Sequence, residues 1–140
     1  MAKNVLIDTG YWIALLNKRD RHHETARVLE DDLSVHTLLI PWPTLFECVD
    51  TRLARRKDSA MRFKQLLQRP STALVDDSPY RQKSLEFVLE GANQTLSLTD
   101  HIIRSMIEDV RLSIDAFVGF NPGDFYDVCA ARGVDMLYRH

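Results

Sequence analysis

Four carboxylates, Asp8, Glu47, Asp100 and Asp124, and one amide, Asn121, stand where side-chain oxygens could do chemistry. Asp8 closes the β-rich run "VLI" and precedes a glycine and an apolar helical pattern. Glu47 lies early in the helical run "TLFECV", Asp100 opens the run "TDHIIRSMIED", and Asn121 and Asp124 flank the turn "NPGD". Each has an ordinary local reading. Asp8 can cap a helix, Thr44 with Glu47 and Ser97 with Asp100 match capping pairs, and Asn-Pro-Gly is a turn signal in its own right. Gathered in one place, however, such carboxylates raise one another's pKa unless something neutralises them. Oxygen-only ligands suit a hard divalent cation, one or two Mg²⁺ or Mn²⁺ ions. The sequence has no His/Cys ligand cluster of the kind zinc needs, and His22 and His23, adjacent at a helix start, diverge by about 100°.

The elements that must position these residues alternate along the chain. Strands are predicted at Val5–Ile7, at "HTLLIP" where Pro41 and Pro43 stop it, at "TALV", at "IDAFVGF" and, more briefly, at "VDMLY". Between them run helices carrying Tyr11, Trp12, Leu15 and Leu16, then Ala26, Leu29 and Leu33. Next come "TLFECVDTRLARR", with Leu45, Val49 and Leu53 on every fourth residue, and "DSAMRFKQLLQR". Two further helices span Ser78 to Gly91 and Thr99 to about Val110. Alternating strands and helices predict a single three-layer α/β/α domain over residues 1–140, with a parallel sheet of four to five strands. In such sheets ligands gather at the carboxyl ends of the strands, where Asp8, Glu47, Asp100 and the Asn121–Asp124 turn all fall. Asp115 begins a strand, at the other end, and reads as structural. Glu108 and Asp109, near a helix end, read as solvated.

Composition narrows the classes further. The chain of 140 residues is 45% hydrophobic and 27% charged, ordinary for a globular domain. No apolar run approaches the ~20 residues of a membrane span, and the start lacks the pattern of a signal peptide. A cytoplasmic protein without a membrane partner is expected. Cys48 and Cys129 are too few and too distant for a CxxC site and read as buried thiols. With a net charge of −2, nucleic acid has to be held by a local basic patch. Arg52, Arg55 and Arg56, at i, i+3 and i+4, offer one helix face for RNA, continued by Arg62 and Lys64; the alternative is a solvated face. Tyr11, Trp12 and Trp42 read as core.

The chain resembles the PIN-domain family, and within it the VapC-type toxin ribonucleases. The resemblance rests on "LIDTGYWIALLNKRDRHHETA", "TLFECV", "LSLTDHIIRSMIED" and "IDAFVGFNPGDF", in family order over nearly the whole chain. It implies a PIN-like fold and a metal-dependent endoribonuclease. Asp8, Glu47 and Asp100 match the family's three main acidic positions, as metal ligands and catalytic residues. Where the family often carries a fourth Asp, this chain has Asn121 in a turn one residue longer, with Asp124 nearby. Either could complete the site. The resemblance further implies attack on RNA by a metal-activated water, leaving a 5′-phosphate and a 3′-OH. It also implies a cognate antitoxin partner and, by analogy, a homodimer.

Two rival classes remain on sequence grounds. One is a PIN-like RNA-binding or protein-interaction module with a degraded site, favoured only by Asn121. The other is a small-molecule phosphohydrolase, which would carry a DxD after the first strand; here Gly10 stands where the second acid would be.

Overall fold

The computed structural model describes residues 2–50, 52–91 and 95–138, and the side chains of all of these but 52 and 54. Five strands, β1 (Asn4–Ile7), β2 (Thr37–Pro41), β3 (Thr72–Val75), β4 (Ala116–Val118) and β5 (Asp135–Met136), form one all-parallel sheet in the order β3-β2-β1-β4-β5. The last two strands are shorter than their apolar runs. Pro41 does not stop β2 but is its last paired residue, opposite Val75.

Strand periodicity sorts the core into two halves. Val5 and Ile7 project with Leu38, Ile40, Ala116 and Val118 into one buried cluster. The elements α1 (Thr9–Leu16), α2 (His23–Leu33), α3 (Trp42–Val49), α4 (Arg52–Arg55) and α5 (Lys57–Leu67) close over it through Trp12, Leu15, Ala26, Leu29, Leu33, Leu45, Leu53 and Phe63. Leu6 and Phe117 point the other way, beneath α7 (Leu98–Glu108) and α8 (Tyr126–Arg132), which contribute Ile102, Ile103, Met106, Ile107, Val128 and Cys129. Outside them α6 (Ser78–Glu90) packs on α7, tied by Ser84 Oγ to His101 Nδ1 at 2.9 Å and by stacking of Phe87 on His101. The expected three-layer α/β/α arrangement is the one observed, and both cysteines are buried thiols.

The segment after β2 departs from expectation. In place of one long helix, the chain turns at Asp50 and again at Arg56, where an extended backbone (ψ 118°) starts α5. Val49, predicted to face the core, is 55% exposed, and Trp42 is 43% exposed at the first position of α3. The seven residues of α8 follow the 3₁₀ turn Pro122–Asp124 and were not predicted; a helix under two turns has too little periodicity to read.

The strand order locates the functional end of the sheet. From β1 the chain steps outward through β2 to β3, then returns to lay β4 on the opposite side of β1. A crevice therefore opens between the carboxyl ends of β1 and β4. The Asp8 N–H donates to the Val118 carbonyl at 2.9 Å, carrying this pairing one residue past the strands. Gly119 allows the approach. A Cβ there would lie 2.8 Å from the Phe117 ring and 3.5 Å from the Asp8 Cβ, and Phe117 is wholly buried against Phe125. Gly119→Ala should lower the unfolding free energy by about 1–3 kcal/mol in urea denaturation. Gly123→Ala, with open space around its Cβ, should change it by less than about 0.5 kcal/mol.

Candidate active site

Asp8 is both a cap and the corner of a charged group. Its backbone is extended, and its carboxylate accepts the Thr9 N–H at 2.8 Å, which starts α1. Only 8% of the residue is exposed. Burial raises its pKa most, the Thr9 N–H opposes the rise, and the charges of Asp100, Glu47 and Asp124 add to it; the result is about 7. Three carboxylates remote in sequence thus act on one buried acid.

Each neighbour arrives by its own route. α3 starts at Trp42, with Pro43 at the second helical position, so Glu47 lies more than a turn inside the helix. The Thr44–Glu47 capping pair does not form. The Thr44 hydroxyl is buried with no hydrogen-bond partner, and Glu47 instead accepts from the Thr9 hydroxyl at 2.8 Å. Asp100 does close a capping box with Ser97. Its N–H donates to Ser97 Oγ at 3.0 Å, and its carboxylate accepts the Ser97 N–H at 3.3 Å. Asp124 ends the 3₁₀ turn after β4, and its carbonyl accepts from Arg104 at 2.7 Å. Asn121 is exposed at the start of that turn, and its side chain makes no cap hydrogen bond. The charge of Asp124 adds to the rise at Asp8, whereas Asn121, a neutral amide, has no charge to add.

Two positioning residues escaped the sequence reading. Thr9 joins the first and second acidic positions, and the only available signal was its place beside Asp8. Arg104 grips the Asp124 carbonyl and also both oxygens of Asp127, at 2.7 Å each, fixing the turn against α7. It lies four residues after Asp100, on the same helix face, a spacing that could have revealed it. Cys48, beside this group, is no nucleophile: burial, then the charges of Glu47 and Asp8, push its thiol up to about 12.

The donor set, carboxylate oxygen throughout, fits Mg²⁺ or Mn²⁺ rather than zinc. Among the described residues, no three His, Cys, Asp or Glu side chains form a ready-made metal cage. Local hydrogen bonds to Thr9 and Ser97 hold Asp8, Glu47 and Asp100 as they stand, and mutual repulsion opposes closer approach. A cleft of about 630 Å³ borders the group between α3 and the α6–α7 pair, lined by Pro43, Phe46, Glu47, Leu98 and Thr99 among others.

Several secondary expectations change. The Arg52–Arg56 run is not one helix face, since α4 ends at Arg55; the Arg52 side chain lies outside the described residues. Arg62 is paired with both oxygens of Glu30. Asp109 is not solvated: Arg111 and the Tyr80 hydroxyl bind it and hold its carboxyl far below the usual range. Asp115 is structural as expected, accepting the Asn4 N–H at 2.8 Å.

No protein-family profile and no curated protein sequence matches the chain. Among solved structures it is similar to VapC20 of Mycobacterium tuberculosis, a toxin that cleaves the sarcin–ricin loop. The TM-score is 0.72 at 19% identity, over 96% of this chain and 99% of that one. It is also similar to a chain of VapBC2 from Rickettsia felis, solved bound to a DNA fragment of the promoter. There the TM-score is 0.64 at 14% identity, over 97% and 99% of the two chains. The chain has the PIN-like fold of these proteins.

Asp8 gives a signed pH dependence. Its pKa is about 7 folded against 3.8 unfolded, so the folded state holds the extra proton between those values. The stabilisation is complete below pH 3.8 and disappears as pH rises through 7. With EDTA present, the melting temperature of Asp8→Asn minus that of the unaltered protein should grow across this window, by roughly 10 °C or more by pH 8. A difference independent of pH would remove Asp8 from a charged group.

Proposed function

We propose that the chain is an endoribonuclease that uses Mg²⁺ or Mn²⁺, and that it serves as the toxin of a toxin–antitoxin pair. What supports this reading most is Asp8, buried at the carboxyl end of β1 beside β4, with Glu47 linked to it through Thr9 and the charges of Asp100, Glu47 and Asp124 raising its pKa. One buried carboxyl group, Asp8, with three more exposed or half-buried carboxylates acting on it, is costly for a purely structural site and suited to a doubly charged ligand.

In this reading Asp8 and Asp100 hold the cation, Glu47 joins them or orients water, and Asp124 completes the set in place of Asn121. When bound, the cation supplies charge for the phosphoryl oxygens and acidifies water. Thr9 fixes the direction of Glu47, and Arg104 fixes the turn that carries Asp124. Water adds to phosphorus as the P–O3′ bond breaks, leaving a 5′-phosphate and a protonated 3′ oxygen. The toxin assignment draws on the fold shared with VapC20 and a VapBC2 chain. Trp42, Phe46 and Val49, all exposed along α3 beside the cleft, are a surface an antitoxin could cover, and a homodimer belongs to the same proposal. Among the described residues no helix is long and apolar enough to cross a membrane, and a cytoplasmic place of action accords with an RNA substrate.

Purified protein should cut a mixed RNA pool when Mn²⁺ or Mg²⁺ is added and stop with EDTA. Asp8→Asn and Asp100→Asn should each slow cutting by at least about 10²-fold while remaining folded. RNA binding with no metal-dependent cutting would favour the rival, a binding module. Expressed alone in bacteria, the chain should arrest growth, and Asp100→Asn should relieve it. Unimpaired growth with soluble, folded protein would contradict the toxin assignment.

A further inference from the structure

A second cavity, of about 750 Å³, opens at the far end of α1, between Asn17, which ends that helix, and the α4–α5 break. Its floor is Ile13, Leu16 and Leu53, and its polar wall is Asn17, Ser59 and three arginines, Arg19, Arg55 and Arg56. The break makes this possible. On one continuous helix, neighbours such as Arg55 and Arg56 diverge by about 100°, but the extended backbone at Arg56 lets both line the same cavity.

The charge here is uncompensated. Arg27, Arg62, Arg81, Arg104 and Arg111 are each bound to a carboxylate; Arg19, Arg55 and Arg56, like Arg21, Arg69 and Arg132, take part in no ion pair among the described residues, and the first three are the ones gathered round one cavity. None of the cavity's described lining residues is acidic, and Asp58 lines the adjacent recess with Arg27 and Arg62. Three exposed guanidinium groups around one cavity with no described acidic lining present donors that suit an anion.

We propose that the cavity lined by Arg19, Arg55 and Arg56 is a phosphodiester-binding site that grips an RNA strand away from the acidic group. The RNA identity of the ligand rests on the functional reading above; the anion site itself does not. The eight residues of α1 lie between Asp8 and Asn17. At roughly 1.5 Å of rise per residue they separate the two by about 12 Å, the rise of about three or four stacked nucleotides. A strand held here can therefore reach the β1/β4 crevice. The apolar floor leaves room for a ribose or base beside the phosphate, in a volume typical of small-ligand sites.

The test is fluorescence anisotropy with a labelled 12-nucleotide single-stranded RNA, in EDTA so that no cutting intervenes. Arg19→Ala, Arg55→Ala and Arg56→Ala should each weaken binding about 3–10-fold and lower the salt slope by roughly 0.7. Arg132→Ala, on α8, should change neither. Inorganic phosphate should compete only weakly, as one phosphate against a strand. Unchanged affinity in all three cavity variants, or no RNA binding by the unaltered protein, overturns the proposal. Equal competition by poly-glutamate would assign the cavity to an acidic peptide and overturn the RNA ligand. Since binding is read without metal, loss in the arginine variants stands even if the acidic group cuts nothing. Catalysis without any such loss separates the two in the other direction.

Discussion

Removing Asp8 from water sets the terms for the rest of the site. A carboxylate at the end of a central parallel strand is desolvated by the sheet around it, and a single backbone N–H, from Thr9, stabilises its charge. Burial alone already favours its protonated form. The fold brings three more carboxylates towards it, from α3, from the start of α7 and from the turn after β4, and each raises its pKa further. The topology makes this unavoidable: β1 is central, β4 lies beside it, and the helices that follow β2 and precede β4 begin at the same sheet edge. Charge gathered there costs stability in the isolated protein, and in the proposed function a cation would offset it.

Charge is segregated across the molecule in a complementary way. Four carboxylates act together at the crevice, while elsewhere, among the described residues, arginines such as Arg104, Arg62 and Arg111 are paired with Asp127, Glu30 and Asp109. The unpaired guanidinium groups at the α4–α5 break stand about one helix length from the acids. In the proposed phosphodiester site, that separation would let a chain of net charge −2 hold a polyanion without cancelling its own acidic centre.

Much of this was legible in the sequence because strand and helix periods were unambiguous where the core is deepest. Val5–Ile7, Ala26, Leu29 and Leu33 are buried as their spacing predicts, and the parallel sheet follows from the alternation. Asp8, Asp100 and Asp124 could be placed at one sheet edge by topology alone. What failed was local grammar at segment boundaries. Thr44 and Glu47 spell a capping box, but the cap is Pro41, so the helix starts at Trp42, three residues earlier, and the phase of everything after it shifts. The same segment breaks at Asp50 and Arg56, so Val49 faces solvent and the arginine run divides. Trp42 looked like core because its size favours burial; position at a helix start overrode that. Asp109 reads as solvated from its place near a helix end, but a bidentate pairing with Arg111, two residues on, and the hydroxyl of Tyr80, 29 residues away, bind it.

The central claim is that oxygens of Asp8 and Asp100 share one divalent cation. Anomalous diffraction from a crystal soaked in Mn²⁺ tests it most directly. The account predicts a peak about 2.1 Å from a carboxylate oxygen of each, with Glu47 or Asp124 at the same ion directly or through water. A soaked crystal with no peak in the β1/β4 crevice, or with Asp8 and Asp100 still held only by Thr9 and Ser97, would contradict it.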